Sequence, residues 1–422
     1  MGYWIECPLE AIAQTTSGGT PDRKRADFYG GKISWVKSGE LNDSYVFETE
    51  ETLTPEGLKH SSAKLFPAGT LLMAMYGATV GKTAILKTAA ATNQAVCAIF
   101  PNSERADAEF LRYFLISERE EFLKHRYGGA QPNISQNVIR NFPVRLPSLF
   151  EQRKIASVLG LVQRAIEQQE RLIALTTELK KSLMHKLFTE GLLCEKQKYT
   201  EIGPVPQSWE VKPLRDCCIV QTGIAKGRKV ETSEALTLPY LRVANVQAGH
   251  LDLSEIKTIT IRRKEKDRYM LRKGDVVLTE GGDFDKLGRG FIWNGEIEDC
   301  VHQNHIFAVR VDCSQLLPEF FAHLSQSPYG KAYFLSVAHK TTNLACINTT
   351  KLKGFPVLVP ALTEQEEIVQ MIGAVNAKLA QHVQKKQMLS DLFHTLLHQL
   401  MTAQIRVHNL DLSFLTEEAK KT

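Results

Sequence analysis

The sequence predicts an α+β chain built twice over. Two pseudo-repeated α/β heads are separated by two long antiparallel helices that form a coiled coil, giving a pseudo-twofold, nearly cyclic dumbbell. Three observations carry this expectation. Phe142-Pro143, Pro147, Leu149, Glu151-Gln152 and Ile155 recur as Phe355-Pro356, Pro360, Leu362, Glu364-Gln365 and Ile368, at a constant offset of 213 (147 to 360). Trp4 and Leu9 recur as Trp209 and Leu214 at an offset of 205 (4 to 209). Each copy of the first motif also opens a long run free of proline. The period is far too long for a solenoid, whose units run roughly 20–50 residues, so a half-molecule has been duplicated.

The first head, residues 1–146, shows short alternating segments punctuated by Gly, Pro and Asn. Ile33-Ser34-Trp35-Val36, Thr70-Leu71-Leu72-Met73 and Ala95-Val96-Cys97-Ala98-Ile99 read as strands. Residues 108–124 read as one helix with Phe110, Leu111, Phe114, Leu115 and Phe122 along a side. The first spacer helix lies within 147–190. Its core of about 37 residues would be roughly 55 Å long, with Ile155, Leu159, Val162, Ile166, Ile173, Leu183 and Leu187 as a heptad-like seam and Gln169, Thr176 and Lys180 as its polar positions. Residues 191–208, with Gly191, Gly203, Pro204 and Pro206, read as a linker. The second head covers 209–359, and Thr222-Gly223 and Tyr240-Leu241-Arg242 echo Ser17-Gly18 and Trp35-Val36-Lys37 at 205. The offset then grows to 213, so about eight extra residues belong to the middle of the second head. The second spacer helix, 360–402, repeats the seam through Ile368, Ile372, Val375, Leu379, Leu396 and Leu400, with His382 and Lys386 in its polar middle. Residues 403–422 form a tail expected to return toward the first head.

Composition places the chain among globular proteins: 43% hydrophobic, 23% charged, net charge +5. No leader peptide is expected, since Glu6 and Glu10 interrupt the start. The most apolar stretch, 65–86, is broken by Pro67, Gly69, Gly77, Gly81 and Lys82, which argues against a membrane span. Eight scattered cysteines read as reduced thiols of a cytoplasmic protein. The charge is unevenly spread. Arg262, Arg263, Lys264, Lys266, Arg268, Arg272 and Lys273 form one dense basic run, and Arg23, Lys24 and Arg25 a smaller one. Either run by itself fits a solvated surface.

Heads held about 55 Å apart on one face of a duplex would read two short half-sites across a spacer of roughly 16 base pairs. Because their interiors diverge, the half-sites would differ. Gly77-Ala78-Thr79-Val80-Gly81-Lys82-Thr83 has three residues between its glycines where a phosphate cradle needs four, so it reads as a turn that presents Lys82 rather than as a nucleotide site. The matching turn of the second head, residues 281–290, carries Lys286 and Arg289. Asn93-Gln94 and Gln303-Asn304 precede matching strands, and carboxamides can pair with adenine. The segments 131–135 and 342–348, the first beginning at Gln131, sit just before the repeated Phe-Pro. Thr20, Lys37 and Tyr76 in the first head, and Lys226, Arg228, Arg242 and Lys340 in the second, complete the set of candidate DNA contacts. Cys300, His302, His305 and Cys313 lack a CxxC knuckle, so alternating strand residues explain them better than zinc. The chain has no Asn-Pro-Pro-aromatic tetrapeptide, no glycine-rich cofactor loop and no intact phosphate loop. A chain with these absences is expected to be non-catalytic by itself.

This pattern resembles the specificity subunits of type I restriction–modification systems over nearly the whole chain. The resemblance rests on the paired Pro-x-Leu-x-Glu-Gln helix starts (Pro147 to Gln152, Pro360 to Gln365), the Trp4 and Trp209 module starts, and Gly274-Asp275-Val276-Val277-Leu278 echoed at Gly69 to Met73. It implies two target-recognition domains that each contact half of a split double-stranded DNA site. It also implies that the helices serve as spacer and as docking surface for two modification subunits, which are adenine methyltransferases, with Glu151, Gln152, Ile155, Glu364, Gln365 and Ile368 at those helix starts. Restriction subunits would join the complex, and S-adenosylmethionine, ATP and magnesium would be bound by the partners, not by this chain. The stretch Cys300–Cys313 has no place in that pattern. The rival expectation is a non-catalytic scaffold whose heads bind protein, which would show weak salt dependence where DNA binding shows a steep one.

Overall fold

A computed structural model describes residues 4–124, 133–227, 230–340 and 345–407. The chain divides into two compact units, residues 1–170 with 384–422 and residues 171–383.

In the first unit a five-stranded sheet runs in the order Ala13–Ser17, Val96–Pro101, Leu71–Ala74, Thr83–Leu86, Ser44–Val46, and is antiparallel except for its last pair. Its central strands, Leu71-Leu72-Met73-Ala74 and Val96-Cys97-Ala98-Ile99, are buried on both faces. They are therefore apolar at consecutive positions, where alternating segments were expected. Leu71, Met73, Cys97 and Ile99 face one core with Phe110 and Phe114 of the helix Ala108–Ser117; Leu72, Ala74, Val96 and Ala98 face a second. Each large apolar side chain so buried contributes about 2 kcal/mol. A second sheet orders Glu51–Leu53, Tyr29–Val36, Ala90–Thr92 and Leu65–Phe66. The helix expected over 108–124 is interrupted. Glu118 leaves helical geometry, its carboxylate meets Arg145 at 2.6 Å, and a separate short helix covers Arg119–Lys124.

The second unit repeats the plan. Cys218–Thr222, Ile306–Val311, Val276–Thr279 and Gly290–Ile292 form its main sheet, and Lys257–Arg262, Ala235–Leu241 and Val301–His302 the other. In each unit the strand that opens the head pairs antiparallel with the Phe-Pro strand that closes it: Ile5–Pro8 with Pro143–Leu146, and Glu210–Pro213 with Pro356–Val359. The segment expected as a linker, 191–208, carries structure of its own. Gln197–Tyr199 and Pro204–Pro206 pair as a hairpin, and Val205 and Trp209 are buried in the second unit's core. Gly191 and Gly203 adopt positive φ there. They cap the helix and turn the hairpin, a role that shares its composition with linkers.

The long helices span Leu149–Glu190 and Leu362–Met401. Within the first unit, residues 149–170 lie antiparallel to 384–401. Glu170 pairs with Lys386 at 2.8 Å and Glu151 with Arg406 at 2.6 Å, while Ile155, Leu159, Val162 and Ile166 share a core with Phe393, Leu397 and Leu400. Within the second unit, Met184, Leu187 and Phe188 share a core with Ile368 and Ile372.

The repeated Glu-Gln is explained at the helix starts. Gln152 is fully buried; its Nε2 donates to the carbonyls of Arg105 and Pro147 at 3.0 Å each, and its Oε1 accepts from Asp107 N at 2.8 Å. Gln365, equally buried, donates to Gln315 and Pro360 and accepts from Leu317 N, at 2.8, 3.0 and 2.8 Å. Leaving buried polar groups without partners costs about 1–3 kcal/mol each. Gln152→Leu or Gln365→Leu is therefore expected to destabilise the chain by roughly 3 kcal/mol, read as a lowered urea midpoint for the purified protein; an unchanged midpoint refutes the clamp.

Candidate DNA interface

The predicted site residues of the first head gather around the loop that follows Ala13–Ser17. Gly19 N donates to Thr92 O at 2.9 Å, and Asn93 N donates to Val36 O at 3.0 Å, which brings residues 18–25, 36–37 and 92–94 side by side. Beneath them Trp35, fully buried, donates from Nε1 to Gly19 O at 3.1 Å. Arg23 lies 4.8 Å from the ring centres of both Tyr29 and Trp35 and binds Glu51. Lys37 reaches Glu50 at 2.8 Å and Glu51 at 3.1 Å. Hydrogen bonds from Arg23, then Lys37, hold the Glu51 carboxyl below its ordinary range. Arg25 pairs with Asp27 at 2.7 Å and packs over Phe28; Lys24 is exposed. Thr20 donates its hydroxyl to Gln94 Oε1. Asn93, by contrast, spends its Oδ1 on Ala95 N at 3.1 Å, closing its own turn.

The second head builds the same frame from other residues. Ile224 N donates to His302 O at 2.8 Å, Gln303 N to Leu241 O at 3.0 Å, and the buried Tyr240 donates its hydroxyl to Ile224 O at 3.0 Å. An indole in one head and a phenol in the other thus brace the same backbone carbonyl. Burial pushes the Tyr240 hydroxyl up to about 12, so it keeps its proton for that bond. Arg242 stands where Lys37 does, meeting the Glu255 carboxylate at 3.3 Å. Gln303 accepts from Val243 N at 3.3 Å. Asn304 lies next to His305, whose Nδ1 is 2.6 Å from Glu280 Oε2. Lys226 lies 5.9 Å from the Tyr240 ring and lines a cavity of about 330 Å³ with Thr258, Thr260 and Glu265.

The cation-bearing turns also correspond. Ala74 N donates to Lys82 O and Thr279 N to Arg289 O, at 2.8 and 2.9 Å, so both residues close the same turn. In the first head it joins two antiparallel strands, Leu71–Ala74 and Thr83–Leu86, which is not the strand-to-helix joint of a phosphate loop. Lys82 and Arg289 are half-buried, and the Nε of Arg289 is enclosed without a partner; Lys286 pairs with Asp283. Tyr76, 39% exposed, bridges to Asn133. Lys340 is exposed on the short strand His339–Lys340, paired with Ala345–Cys346. Gln131 and Arg228 lie outside the described residues, as do parts of the 131–135 and 342–348 segments.

The helix-start residues are placed inward. Gln152, Gln365, Ile155 and Ile368 are buried, and Glu151 is 4% exposed under Arg406. Glu364 accepts from Trp209 Nε1 at 3.0 Å and Leu192 N at 3.2 Å. These six side chains, expected at the spacer and docking helix starts, are occupied by the chain's own packing. Sequence reasoning missed Glu51 and Glu280, whose signal is only that each sits opposite a candidate cation or histidine. Among the described residues no group of three or more His, Cys, Asp or Glu is arranged to hold a metal, and no helix is long and apolar enough to cross a membrane. Cys300 and His302 are buried. Burial pushes the thiol up to about 12 and the imidazole down to about 4.

Two predictions follow from this geometry. A Cβ on Gly18 would sit 2.0 Å from Thr92 O, and one on Gly223 2.1 Å from His302 O. Gly18→Ala and Gly223→Ala are each expected to displace the loop of one head and abolish DNA recognition there, checked by footprinting each half-site. The second concerns acid. The folded state keeps His302 neutral down to about pH 4, whereas the unfolded chain takes up that proton near pH 6.5. Stability is therefore lost as pH falls from 6.5 to 4, by about 2 kcal/mol at pH 5. His302→Gln is expected to flatten that part of the stability–pH curve measured by urea unfolding.

Comparison with known proteins agrees with the duplicated plan. The family model for the type I restriction modification DNA specificity domain matches residues 2–177 and again 206–390. The specificity subunit of the type I restriction enzyme MjaIX of Methanocaldococcus jannaschii is 23% identical over 417 residues, covering 96% of this chain and 94% of its own. The EcoKI specificity subunit of Escherichia coli is 22% identical over 430 residues, covering 98% and 88%. In fold, the chain is similar to the crystal structure of a type I system S subunit from M. genitalium, with a TM-score of 0.59 at 17% identity, covering 94% of this chain and 96% of that one. It is also similar to a chain solved in work on complex assembly and conformational transition of the type I system, with a TM-score of 0.52 at 18% identity, covering 94% and 97%.

Proposed function

The chain belongs to the type I restriction–modification DNA specificity family, and on that premise we propose that it selects the DNA sequence for a type I complex, one half of a bipartite, asymmetric site per head. The observation that carries this reading is the duplicated tip. The same backbone bonds hold the loops after Ser17 and Thr222 against the turns at Asn93 and Gln303, while the side chains on that frame differ. A constant frame sets where each head meets the duplex, and different side chains make the half-sites different.

The tips are suited to phosphate without being saturated by it. Arg23, Arg25 and Lys37 are each held by a carboxylate in an exposed or half-exposed pair. Such pairs are worth about 0–1 kcal/mol, so exchanging the carboxylate for a phosphate costs little. The chain itself is non-catalytic, as the family's specificity subunits are. We assign S-adenosylmethionine, ATP and magnesium to the partner subunits, and the cytoplasm as the place of work. The two long helices then act as spacer and as the seat of two modification subunits, with restriction subunits joining the assembly. Leu175 and Leu179, one helical turn apart and 54% and 57% exposed, offer an apolar surface of the kind the buried helix-start residues cannot.

The test is to express the chain with its neighbouring modification subunit and map methylated adenines across a genome. The expected result is one split motif that depends on this chain, with affinity for its duplex falling steeply between 50 and about 200 mM salt. Deleting one heptad from both helices is expected to shorten the spacer or abolish activity. A complex with no chain-dependent motif, or with salt-independent affinity, refutes the reading and favours a protein-binding scaffold.

A further inference from the structure

We propose that Gln94 and Asn304 are the matched base-reading carboxamides of the two heads, each selecting adenine in its own half-site, and that Thr20 and the Glu280–His305 pair are the residues that position them. The inference rests on the DNA-recognition reading above and goes further by separating the residues that read from those that only build the turn.

The backbone identifies the pair. Gly19 N and Ile224 N donate to the carbonyls of Thr92 and His302, and Asn93 N and Gln303 N donate to those of Val36 and Leu241. Asn93 and Gln303 are therefore equivalent, and so are the residues after them, Gln94 and Asn304. The first member of each pair is consumed locally: Asn93 Oδ1 accepts from Ala95 N, and Gln303 Oε1 accepts from Val243 N. The second member is not. Gln94 is exposed, Asn304 is half-exposed, and each has one side-chain contact that leaves the rest of the amide available.

Those single contacts are orienting ones. The Thr20 hydroxyl donates to Gln94 Oε1, which fixes the oxygen's side of the amide and leaves the oxygen a second lone pair and Nε2 both hydrogens. In the second head His305 Nδ1 lies 2.6 Å from Glu280 Oε2 and its Nε2 3.3 Å from Asn304 Nδ2; with the ring proton on Nδ1 toward the carboxylate, Nε2 accepts from the amide. This leaves Asn304 its Oδ1 and one N–H. In both heads the free groups are one acceptor and one donor on a planar amide. That pair matches adenine, whose N6–H is donated and whose N7 accepts in the major groove. Two chemically unrelated devices hold an amide in one state at equivalent positions, which an incidental polar turn does not require.

The experiment uses the full chain in complex with its modification subunit. Once the wild-type motif is mapped, binding is measured to duplexes carrying each base at each motif position. Gln94→Ala is expected to reduce discrimination roughly ten- to hundredfold at one adenine of one half-site, and Asn304→Ala at one adenine of the other. Gln94→Glu, which loses the donor but keeps acceptors, is expected to move that position's preference from adenine toward cytosine. Thr20→Val and His305→Phe are expected to blur the same positions as Gln94→Ala and Asn304→Ala, respectively. Unchanged discrimination at every position, or a uniform loss across both half-sites, overturns the assignment. A wild-type complex with no chain-dependent motif refutes the DNA-recognition reading itself, a result distinct from either.

Discussion

A buried carboxamide at the base of each head fixes how the long helix leaves it. Gln152 and Gln365 each bind two carbonyls and one amide, joining the first turn of the long helix to the start of a helix within the head. Neither neighbour in size or charge would serve. Asparagine is a methylene short of the span, and glutamate would set a charge against two carbonyl oxygens in a fully buried site. One turn further on, Ile155 and Ile368 enter the head's core and convert that directional bond into apolar packing. The preceding acid does the complementary work on the other side. Glu151 holds Arg406, just past the end of the second helix, and Glu364 holds Leu192 N, just past the end of the first. Glu-Gln-x-x-Ile is thus a three-way junction of head, helix and returning chain.

With the base clamped, length variation is displaced to the tips. Equivalent residues differ by 205 at Gly19 and Ile224, by 207 at Lys82 and Arg289, by 210 at Thr92 and His302, and by 213 at Ile134 and Ile347. The added residues enter at three separate places, two of them in the turns that lie over the cations and carboxamides. Between them the strands stay in register, since a slip by one residue would turn a buried face outward. Gly18 and Gly223 mark two tight points of the frame, because another strand's carbonyl occupies the space a side chain would need.

Much of this was legible in the sequence. The long helices were found to within two or three residues at each end, because a proline-free apolar period has no competing explanation over that length. The central strands are placed correctly too, although burial on both faces makes them continuous apolar runs where alternation was expected. Other features depend on partners that local sequence does not name. Glycines and prolines at 191–208 suit a plain connection or a hairpin equally well, and the pairing of Gln197–Tyr199 with Pro204–Pro206 and the burial of Val205 make it a hairpin. Glu151 and Gln152 look like an exposed helix start until Arg406 and Asp107 are brought to them from 255 and 45 residues away. The distinction between Asn93 and Gln94 is likewise invisible in one dimension. It rests on which amide finds Ala95 N and which finds Thr20.

The acids at the tips bear on a further point, the modest net charge of +5 in a chain that reads DNA. Glu50, Glu51, Asp27, Glu255 and Asp283 each pair with a cation proposed above as a DNA contact. Uncompensated, those cations would bind any duplex, because phosphate attraction is independent of sequence and supplies nearly all non-specific affinity. What matters to a recognition subunit is the ratio between its site and the far more numerous wrong ones. Carboxylates placed beside the cations lower both affinities together by a small amount each, which leaves the ratio itself to contacts with base edges and shortens the time spent on wrong sites. A cation held against an aromatic face, as Arg23 is over Tyr29 and Trp35, also enters the complex already ordered. On the proposed reading, the weak overall charge and the self-paired tips both keep backbone attraction modest, and the choice of sequence falls to the base contacts.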